Sequence, residues 1–131
     1  MRMVEQDQEN DDSTEVTWED QQKINLFSKL NTRMKGFEAK MEAAKQEKEA
    51  LDDLSTELEL ADDTESVLYR IGETYLHMPL HRALERLEQD QADLDTRFSK
   101  LSQSSQQCET EMKQLKVALY AKFGSAINLD E

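Results

Sequence analysis

The sequence predicts a mainly α protein, a long antiparallel coiled-coil helical hairpin with a short β-hairpin between its two helices. Three observations indicate this fold class. Two long stretches repeat apolar residues at a spacing of about 3.5 residues, the coiled-coil period. A short segment rich in β-forming residues separates them. Only 37% of the 131 residues are apolar, which is too little for a compact globule of this length.

Residues 1–16 are predicted to form a disordered acidic tail, and residues 17–131 the folded domain. The tail contains six acidic residues against Arg2 alone and has almost no apolar content. Such a segment cannot bury enough apolar surface to offset the entropy of ordering it. Its charge is consistent with two roles, a solubilising tail or an anionic arm that binds a partner.

The first helix is predicted over residues 17–60. Thr17 and Asp20 stand at the positions of a capping box, in which two side chains satisfy the free N–H groups of a helix start. From Phe27 onward, seam positions follow a regular 3-4 spacing with two polar interruptions. They are Phe27, Leu30, Met34, Phe37, Met41, Ala44, Lys48, Leu51, Ser55 and Leu58. The pattern stops before Asp62, so we expect the helix to end there.

A β-hairpin is predicted over residues 65–78. The segment 67–77 is rich in β-branched and aromatic residues and has Gly72 near its middle. Because glycine adopts the positive φ angle that tight turns require, we place the turn at or beside Ile71–Gly72. Ile71 would fit a type I′ turn poorly, which leaves the turn type open.

The second helix is predicted over residues 79–123, with a C-terminal tail at 124–131. Pro79 is expected in the first helical turn, where its missing N–H does no harm. Lys122 and Gly124 supply the cation and the glycine that commonly mark a helix end. A second seam lies between these signals. It comprises Leu80, Leu84, Leu87, Gln91, Leu94, Phe98, Leu101, Ser105, Cys108, Met112, Leu115 and Leu119.

The β-hairpin returns the chain beside itself, so the two helices are expected to be antiparallel. The favoured register centres on residue 71, inside the predicted turn, and places the aromatic ring of Phe98 opposite the small Ala44. It pairs Leu58 with Leu84, Met34 with Cys108, Glu47 with Arg97, Arg33 with Glu111, and Lys45 with Asp95. Exposed charge pairs contribute only a few tenths of a kcal/mol each, so they specify register more than stability.

The composition argues against several classes of function. The chain has 16 Lys and Arg against 29 Asp and Glu, and its net charge of −13 would repel nucleic acid and anionic membranes. No stretch has the roughly 20 apolar residues of a membrane span, and no secretory signal is evident. We therefore expect a cytoplasmic protein with neither nucleic acid nor membrane as partner.

No enzymatic activity is expected. The three glycines are too far apart to form a phosphate-binding loop. Cys108 has no evident base partner and lies in the seam, where a buried apolar role is expected. His77 and His81 are spaced i,i+4 as a metal pair would be, but Pro79 between them places His77 before the helix. We expect no catalytic residue, no cofactor and no metal.

Two sets of apolar residues exceed what the helical seam needs. The first lies in the hairpin segment and comprises Val67, Leu68, Tyr69, Ile71, Tyr75 and Leu76. A two-stranded sheet is marginal in water and an apolar edge favours further strands, so this set is predicted to mediate assembly. The alternative is a local cap in which these side chains fold over Leu60 and Leu80.

The second set lies where the first helix begins and the second helix ends. It comprises Trp18, Ile24, Phe27, Leu119, Tyr120 and Phe123, and Ile127 and Leu129 follow it. Apolar residues without a local core suggest a binding surface. The alternative is that they pack among themselves and seal the end of the coiled coil.

The stretches Trp18–Asn25, Leu60–Asp63, Tyr69–Gly72 and Leu119–Leu129 resemble the β-type subunits of prefoldin. So does the order of long helix, short β-hairpin and long helix. The resemblance covers roughly residues 15–131 and is most specific in the last stretch. Trp18 stands where the resemblance would place phenylalanine, a conservative departure.

The resemblance implies a heterohexamer in which this chain joins two α-type and three further β-type subunits. The hairpins would form a double β-barrel platform, and the coiled coils would extend from it. The implied activity is ATP-independent capture of unfolded proteins, chiefly actin and tubulin, and their delivery to the cytosolic chaperonin TRiC. The second apolar set would then contact clients. A homodimeric coiled-coil tether or scaffold without clients is the alternative, which would have no need of a β-rich insert.

Overall fold

The computed structural model describes residues 2–3 and 15–130 and has the mainly α architecture that the sequence predicts. The elements in chain order are β1 (Arg2–Met3), α1 (Trp18–Glu59), β2 (Ser66–Ile71), β3 (Thr74–Pro79), α2 (Leu80–Phe123), a 3₁₀ turn (Gly124–Ala126) and β4 (Ile127–Asn128). The predicted fold class, two long helices with an antiparallel β-hairpin between them, is therefore confirmed. No helix in the described part of the chain is long and apolar enough to span a membrane.

The chain divides into two compact units. The hairpin unit is Ala39–Ser102, which includes β2 and β3. The terminal unit comprises the described residues of Met1–Glu38 and Gln103–Glu131, in which α1 begins and α2 ends.

The start of α1 shows the predicted capping box. The Asp20 N–H donates to Thr17 Oγ1 at 3.1 Å, and the Thr17 N–H donates to Asp20 Oδ2 at 3.0 Å. Two N–H groups that lack helical partners are thereby satisfied. At the start of α2 the prediction was wrong in one detail. Pro79 is the last residue of β3, opposite Ser66, because a strand end tolerates a residue without an N–H.

The β-hairpin has a two-residue turn. Ile71 pairs with Thr74, so Gly72 and Glu73 form the loop, and Gly72 has a φ of 66°. Both turn types common in two-residue hairpins require a positive φ at the first central position, which glycine adopts without steric cost. The turn therefore lies beside Ile71 and Gly72, where the sequence placed it.

The core of the hairpin unit lies where the inner face of the sheet packs on both helices. Its buried members are Leu58, Tyr69, Leu80, Ala83 and Leu87, and Leu51, Leu54, Ala61, Val67, Ile71 and Met78 pack around them. The predicted pairing of Leu58 with Leu84 was wrong. Ala83 is fully buried, whereas Leu84 is 40% exposed. Ala83 is buried in one cluster with Tyr69 of the sheet, so the seam passes through Ala83 instead.

The predicted pairing of Glu47 with Arg97 is confirmed by an ion pair between these residues of α1 and α2 in the hairpin unit. Ala44 and Leu94 are buried as seam residues, whereas Lys48 is exposed and Phe98 is more than one third exposed. The other predicted charge pairs, Arg33 with Glu111 and Lys45 with Asp95, form no ion pair within the described residues.

The terminal unit has its own apolar core. Its buried residues are Ile24, Phe27, Leu119, Phe123, Ile127 and Leu129, and Met112, Leu115, Tyr120 and Ala126 pack against them. We call this set the terminal cluster. Helix α2 ends at Phe123, and the next residue, Gly124, has a φ of 55° that turns the chain. Within the predicted acidic tail, Arg2–Met3 forms β1, which pairs with β4, and residues 4–14 lie outside the described part of the chain.

Candidate functional site

The outer face of the β-hairpin exposes apolar side chains. Residues directly opposite each other in an antiparallel pair share a face, and here Leu68 opposes His77 while Arg70 opposes Tyr75. Leu68 is 50% exposed and Tyr75 is 58% exposed. Leu76 is also about half exposed, although its partner Tyr69 is buried. Three of the six predicted assembly residues are therefore accessible to a partner.

The inner face of the hairpin carries the other three predicted assembly residues. Tyr69 is buried, and Val67 and Ile71 are half-buried against the core. Their packing over Leu80 corresponds to the local cap that was the alternative interpretation, although Leu60 is exposed and takes no part in it. The hairpin thus has an anchored face and an exposed face.

A partly buried hydrogen bond fixes the hairpin to α2. The Tyr69 hydroxyl donates to Asp90 Oδ2 at 2.7 Å, and Arg86 Nε donates to the other carboxylate oxygen at 3.0 Å. Burial raises the pKa of Tyr69 well above its ordinary value, and the hydrogen bond to Asp90 raises it further. Tyr69 therefore stays protonated and keeps its donor role.

Removing the Tyr69 hydroxyl should destabilise the hairpin unit. We expect Tyr69→Phe to lower the free energy of unfolding by about 1–2 kcal/mol, because the ring packing remains while a bond to a charged acceptor is lost. Urea-induced unfolding monitored by circular dichroism measures this loss. Tyr75→Phe is the matched control, since its ring is largely exposed, and it should change stability by less than about 0.5 kcal/mol. Equal effects of the two variants would contradict the proposed anchor.

The terminal unit buries most of the predicted client-binding residues. Ile24, Phe27, Leu119 and Phe123 are each at most 6% exposed, so the alternative of packing among themselves describes them. Tyr120 is half-buried, and its hydroxyl accepts a hydrogen bond from the Leu129 N–H at 3.1 Å. Ile127 and Leu129, which follow Gly124, pack in the same cluster, as this alternative held.

Apolar side chains are nevertheless accessible in the terminal unit. Trp18 is 75% exposed, the only member of the predicted set that is largely accessible in the described part of the chain. Val16, Leu26 and Val117 are also exposed, and sequence reasoning missed all three. Val117 lies between seam positions of α2, which is the one signal that would have indicated an outward side chain.

Asp20 joins the two helices of the terminal unit. Its carboxylate caps α1 through Thr17 and also accepts a hydrogen bond from Lys122 Nζ, near the end of α2. The hydrogen bond from Lys122 and those from Thr17 lower the pKa of Asp20 from 3.8 to about 2. The sequence indicated the cap but could not reveal the partner, which is 102 residues further along the chain.

This pKa shift predicts how stability depends on pH. The pKa of Asp20 is lower in the folded chain, so its contribution to stability is present above about pH 4 and is lost as pH falls towards 2. We expect unfolding free energies of the unaltered chain and Asp20→Asn to differ most near neutral pH and to converge in acid. Glu19→Gln, an exposed acid of the same turn, is the control. A difference independent of pH would contradict the role of the ionised carboxylate.

The described residues contain no group of three His, Cys, Asp or Glu side chains arranged to hold a metal. His77 lies in β3, His81 lies in α2, and Cys108 is buried. Beside the hairpin, a groove of about 1150 Å³ is lined by charged and apolar side chains, among them Arg70 and Tyr75. Two ion pairs line it, Glu47 with Arg97 and Asp90 with Arg86.

The fold and these surfaces define a class of protein, a coiled-coil subunit with a β-hairpin that is anchored on one face and exposed on the other. Comparison with known proteins identifies the family. Residues 21–126 match the family model described as prefoldin subunit. The chain belongs to the prefoldin subunit family. Its membership in this family implies that it is a chaperone subunit with other prefoldin subunits as partners.

Individual relatives agree with this assignment. Prefoldin subunit 4 of Saccharomyces cerevisiae is 40% identical over 130 residues, which cover 99% of each chain. Prefoldin subunit 4 of Homo sapiens is 34% identical over 116 residues, covering 88% of this chain and 87% of the human one. The crystal structure of the prefoldin beta subunit from Thermococcus strain KS-1 matches with a TM-score of 0.70. It is 13% identical, and the match covers 82% of this chain and 95% of that one.

Proposed function

We propose that this chain is one subunit of a heterohexameric prefoldin that acts in the cytoplasm as an ATP-independent co-chaperone. In this assembly it joins two α-type and three further β-type subunits. The complex captures unfolded proteins such as actin and tubulin and delivers them to the cytosolic chaperonin TRiC. Neither nucleic acid nor membrane is a partner, and the chain is not an enzyme.

The observation that carries the proposal is the exposed outer face of the β-hairpin. Leu68 and Tyr75 remain half or more exposed even though the inner face is anchored through Tyr69. A two-stranded sheet with apolar exposed side chains gains stability when further strands or side chains cover it. In a prefoldin complex, the hairpins of neighbouring subunits would cover this outer face. We therefore assign the outer face to assembly.

The proposed client surface rests on the accessible apolar side chains of the terminal unit. Trp18, with Val16 near it in sequence, offers a large apolar surface to an unfolded segment. The net charge of −13 keeps a protein with such exposed residues soluble through self-repulsion. These features support a holding function, which requires neither a nucleotide nor a reaction centre.

Native mass spectrometry of the tagged chain purified from cytosol tests the proposed assembly. We expect a complex of six subunits with one copy of this chain and five different small partners. A homodimer or an isolated chain would contradict the assembly and favour a coiled-coil tether. Adding chemically unfolded actin or tubulin without nucleotide then tests capture, since a complex that leaves their aggregation unchanged would contradict the client assignment.

A further inference from the structure

The groove beside the β-hairpin lies entirely within the hairpin unit, and we call it the hairpin groove. Its volume of about 1150 Å³ is bounded by residues of α1, of α2 and of the hairpin. This volume exceeds the roughly 300–1,000 Å³ of pockets that hold small molecules. An α-helix is about 10 Å across and rises about 1.5 Å per residue, so the groove has room for about two helical turns. It is therefore large enough for a segment of another protein.

Apolar side chains form part of the lining of the hairpin groove. Leu94 of α2 is buried, and Leu51 and Leu54 of α1 are half-buried against the core of the hairpin unit. Ala43 and Ala50 of α1 also line the groove and are exposed. Their short side chains add little bulk above the leucines. The lining therefore offers a partner an apolar surface on which to pack.

The charge in the hairpin groove is predominantly negative. Six carboxylates line the groove against three guanidinium groups, and two of the carboxylates form the ion pairs described above. The third guanidinium belongs to Arg70, whose Nε donates to the Gly72 carbonyl oxygen at 2.7 Å. The other four carboxylates are exposed and form no ion pair with any described residue. They are Asp53, Glu57, Glu73 and Asp93.

These four carboxylates approach the groove from three elements. Asp53 and Glu57 lie one helical turn apart on α1, Asp93 lies on α2, and Glu73 lies in the turn of the hairpin. The hairpin unit as a whole has 16 acidic residues against eight basic ones, whereas residues 15–38 and 103–130 have seven of each. A cleft lined by one sign of charge concentrates the electric field and attracts the opposite charge. The hairpin groove therefore favours a cationic ligand.

We propose that the hairpin groove is a docking site for a basic amphipathic helix of a partner protein other than a prefoldin subunit. The helix packs its apolar face on the leucines of the lining. Its lysine or arginine side chains pair with Asp53 and Glu57 on α1 and with Asp93 on α2. An amphipathic helix laid in a groove is a recurrent mode of peptide recognition. This inference goes beyond the proposed chaperone function and does not depend on it.

The position of the groove on the hairpin separates it from the proposed subunit interface. Tyr69 and Ile71, which line the groove, belong to the anchored inner face of the sheet. The subunits are proposed to meet at the outer face, where Leu68 is half exposed and does not line the groove. We therefore expect the groove to stay open when another subunit covers the outer face.

Charge reversal tests the ionic part of the site. The probe is a fluorescein-labelled amphipathic helix of about 14 residues, or about four turns, built from Leu, Lys and Ala. Fluorescence anisotropy follows its binding to the full-length chain at about 0.15 M salt, where charges interact over only about 8 Å. We expect Asp53→Lys/Glu57→Lys to weaken binding at least tenfold.

Glu49→Lys/Asp52→Lys is the matched control for charge reversal. It makes the same change of charge at exposed positions of the same helix that do not line the groove. We expect it to weaken binding by less than about threefold. Equal weakening by the two double variants, or no binding by the unaltered chain, would overturn the proposal.

Filling the groove tests its shape without changing its charge. Ala50→Trp puts a large side chain into the lining from an exposed position of α1, and Ala39→Trp does so at an exposed position of α1 outside the groove. We expect Ala50→Trp to weaken binding at least fivefold and Ala39→Trp to leave it unchanged. A peptide held only by the net charge of the surface would bind both variants equally, which would overturn the site. This comparison also decides the matter if the charge-reversed chain fails to fold.

The assembled complex shows whether the groove is open to an outside partner. Because other subunits can also bind the cationic probe, the readout is the difference between complexes that contain the unaltered chain and Ala50→Trp. We expect weaker binding by the complex with Ala50→Trp. If the difference is found only for the isolated chain, another subunit occupies the groove and the proposal fails, while the chaperone function stands. If no six-subunit complex forms, the proposed function fails, and binding to the chain still decides the groove.

Discussion

Phe27→Ala is expected to lower the free energy of unfolding by about 3–5 kcal/mol, because it removes a fully packed ring and leaves a cavity. Phe27 is 3% exposed in the terminal cluster, where it packs with residues of α2 and of the segment that follows Gly124. The loss is a large fraction of the roughly 5–15 kcal/mol that stabilises a typical domain. Urea-induced unfolding monitored by far-UV circular dichroism measures it. A loss below about 1 kcal/mol would contradict the packing described for this side chain.

Trp18→Ala is the matched control, since it also removes a large aromatic side chain from α1. Trp18 is 75% exposed, so we expect a change in stability of no more than about 0.5 kcal/mol. The same two variants separate stability from client capture. If Trp18 contacts clients, its alanine variant captures less in a complex of unchanged stability. Phe27→Ala should reduce capture only together with folding, because its side chain is buried.

The sequence predicted those features that depend on local spacing. Thr17 and Asp20 are three residues apart, and a capping box needs no more than that. Gly72 has the positive φ angle that a two-residue hairpin loop requires. The ion pair of Glu47 with Arg97 followed from an antiparallel register centred on the turn. The first two needed one short-range rule each, and the third needed the seam spacing of both helices together with the position of the turn.

The features that the sequence did not reveal depend on tertiary packing. Ala83 rather than Leu84 enters the seam, in the cluster that also buries Tyr69 of the sheet. Burial of Phe27 depends on Ile127 and Leu129, whose path follows only after the chain turns at Gly124. The partner of Asp20 lies on the other helix. Sequence spacing predicts on which face of a helix an apolar or ionic residue lies. Which other residues pack against that face depends on the tertiary structure.

Charge substitution on the outer face of the β-hairpin is expected to exclude the chain from its assembly. In Leu68→Asp/Tyr75→Asp, two carboxylates replace apolar side chains that a neighbouring subunit would bury. Burying an unpaired carboxylate costs several kcal/mol, which corresponds to a decrease in incorporation of well over tenfold. Because both side chains are at least half exposed in the chain itself, its helical content should not change.

Leu60→Asp is the control that distinguishes the hairpin face from a general effect of added charge. Leu60 is 84% exposed in the same unit, yet it lies outside β2 and β3. We expect this variant to enter the complex as the unaltered chain does, when each is co-expressed with tagged partner subunits and recovered by affinity purification. Equal recovery of the unaltered chain, Leu60→Asp and the double variant would show that the outer face of the hairpin is not part of the interface. If the hairpin mediates assembly, Leu68→Asp/Tyr75→Asp alone should be missing from the purified complex, while its circular dichroism spectrum stays unchanged. A charge on an exposed face disfavours assembly only when a partner subunit contacts that face.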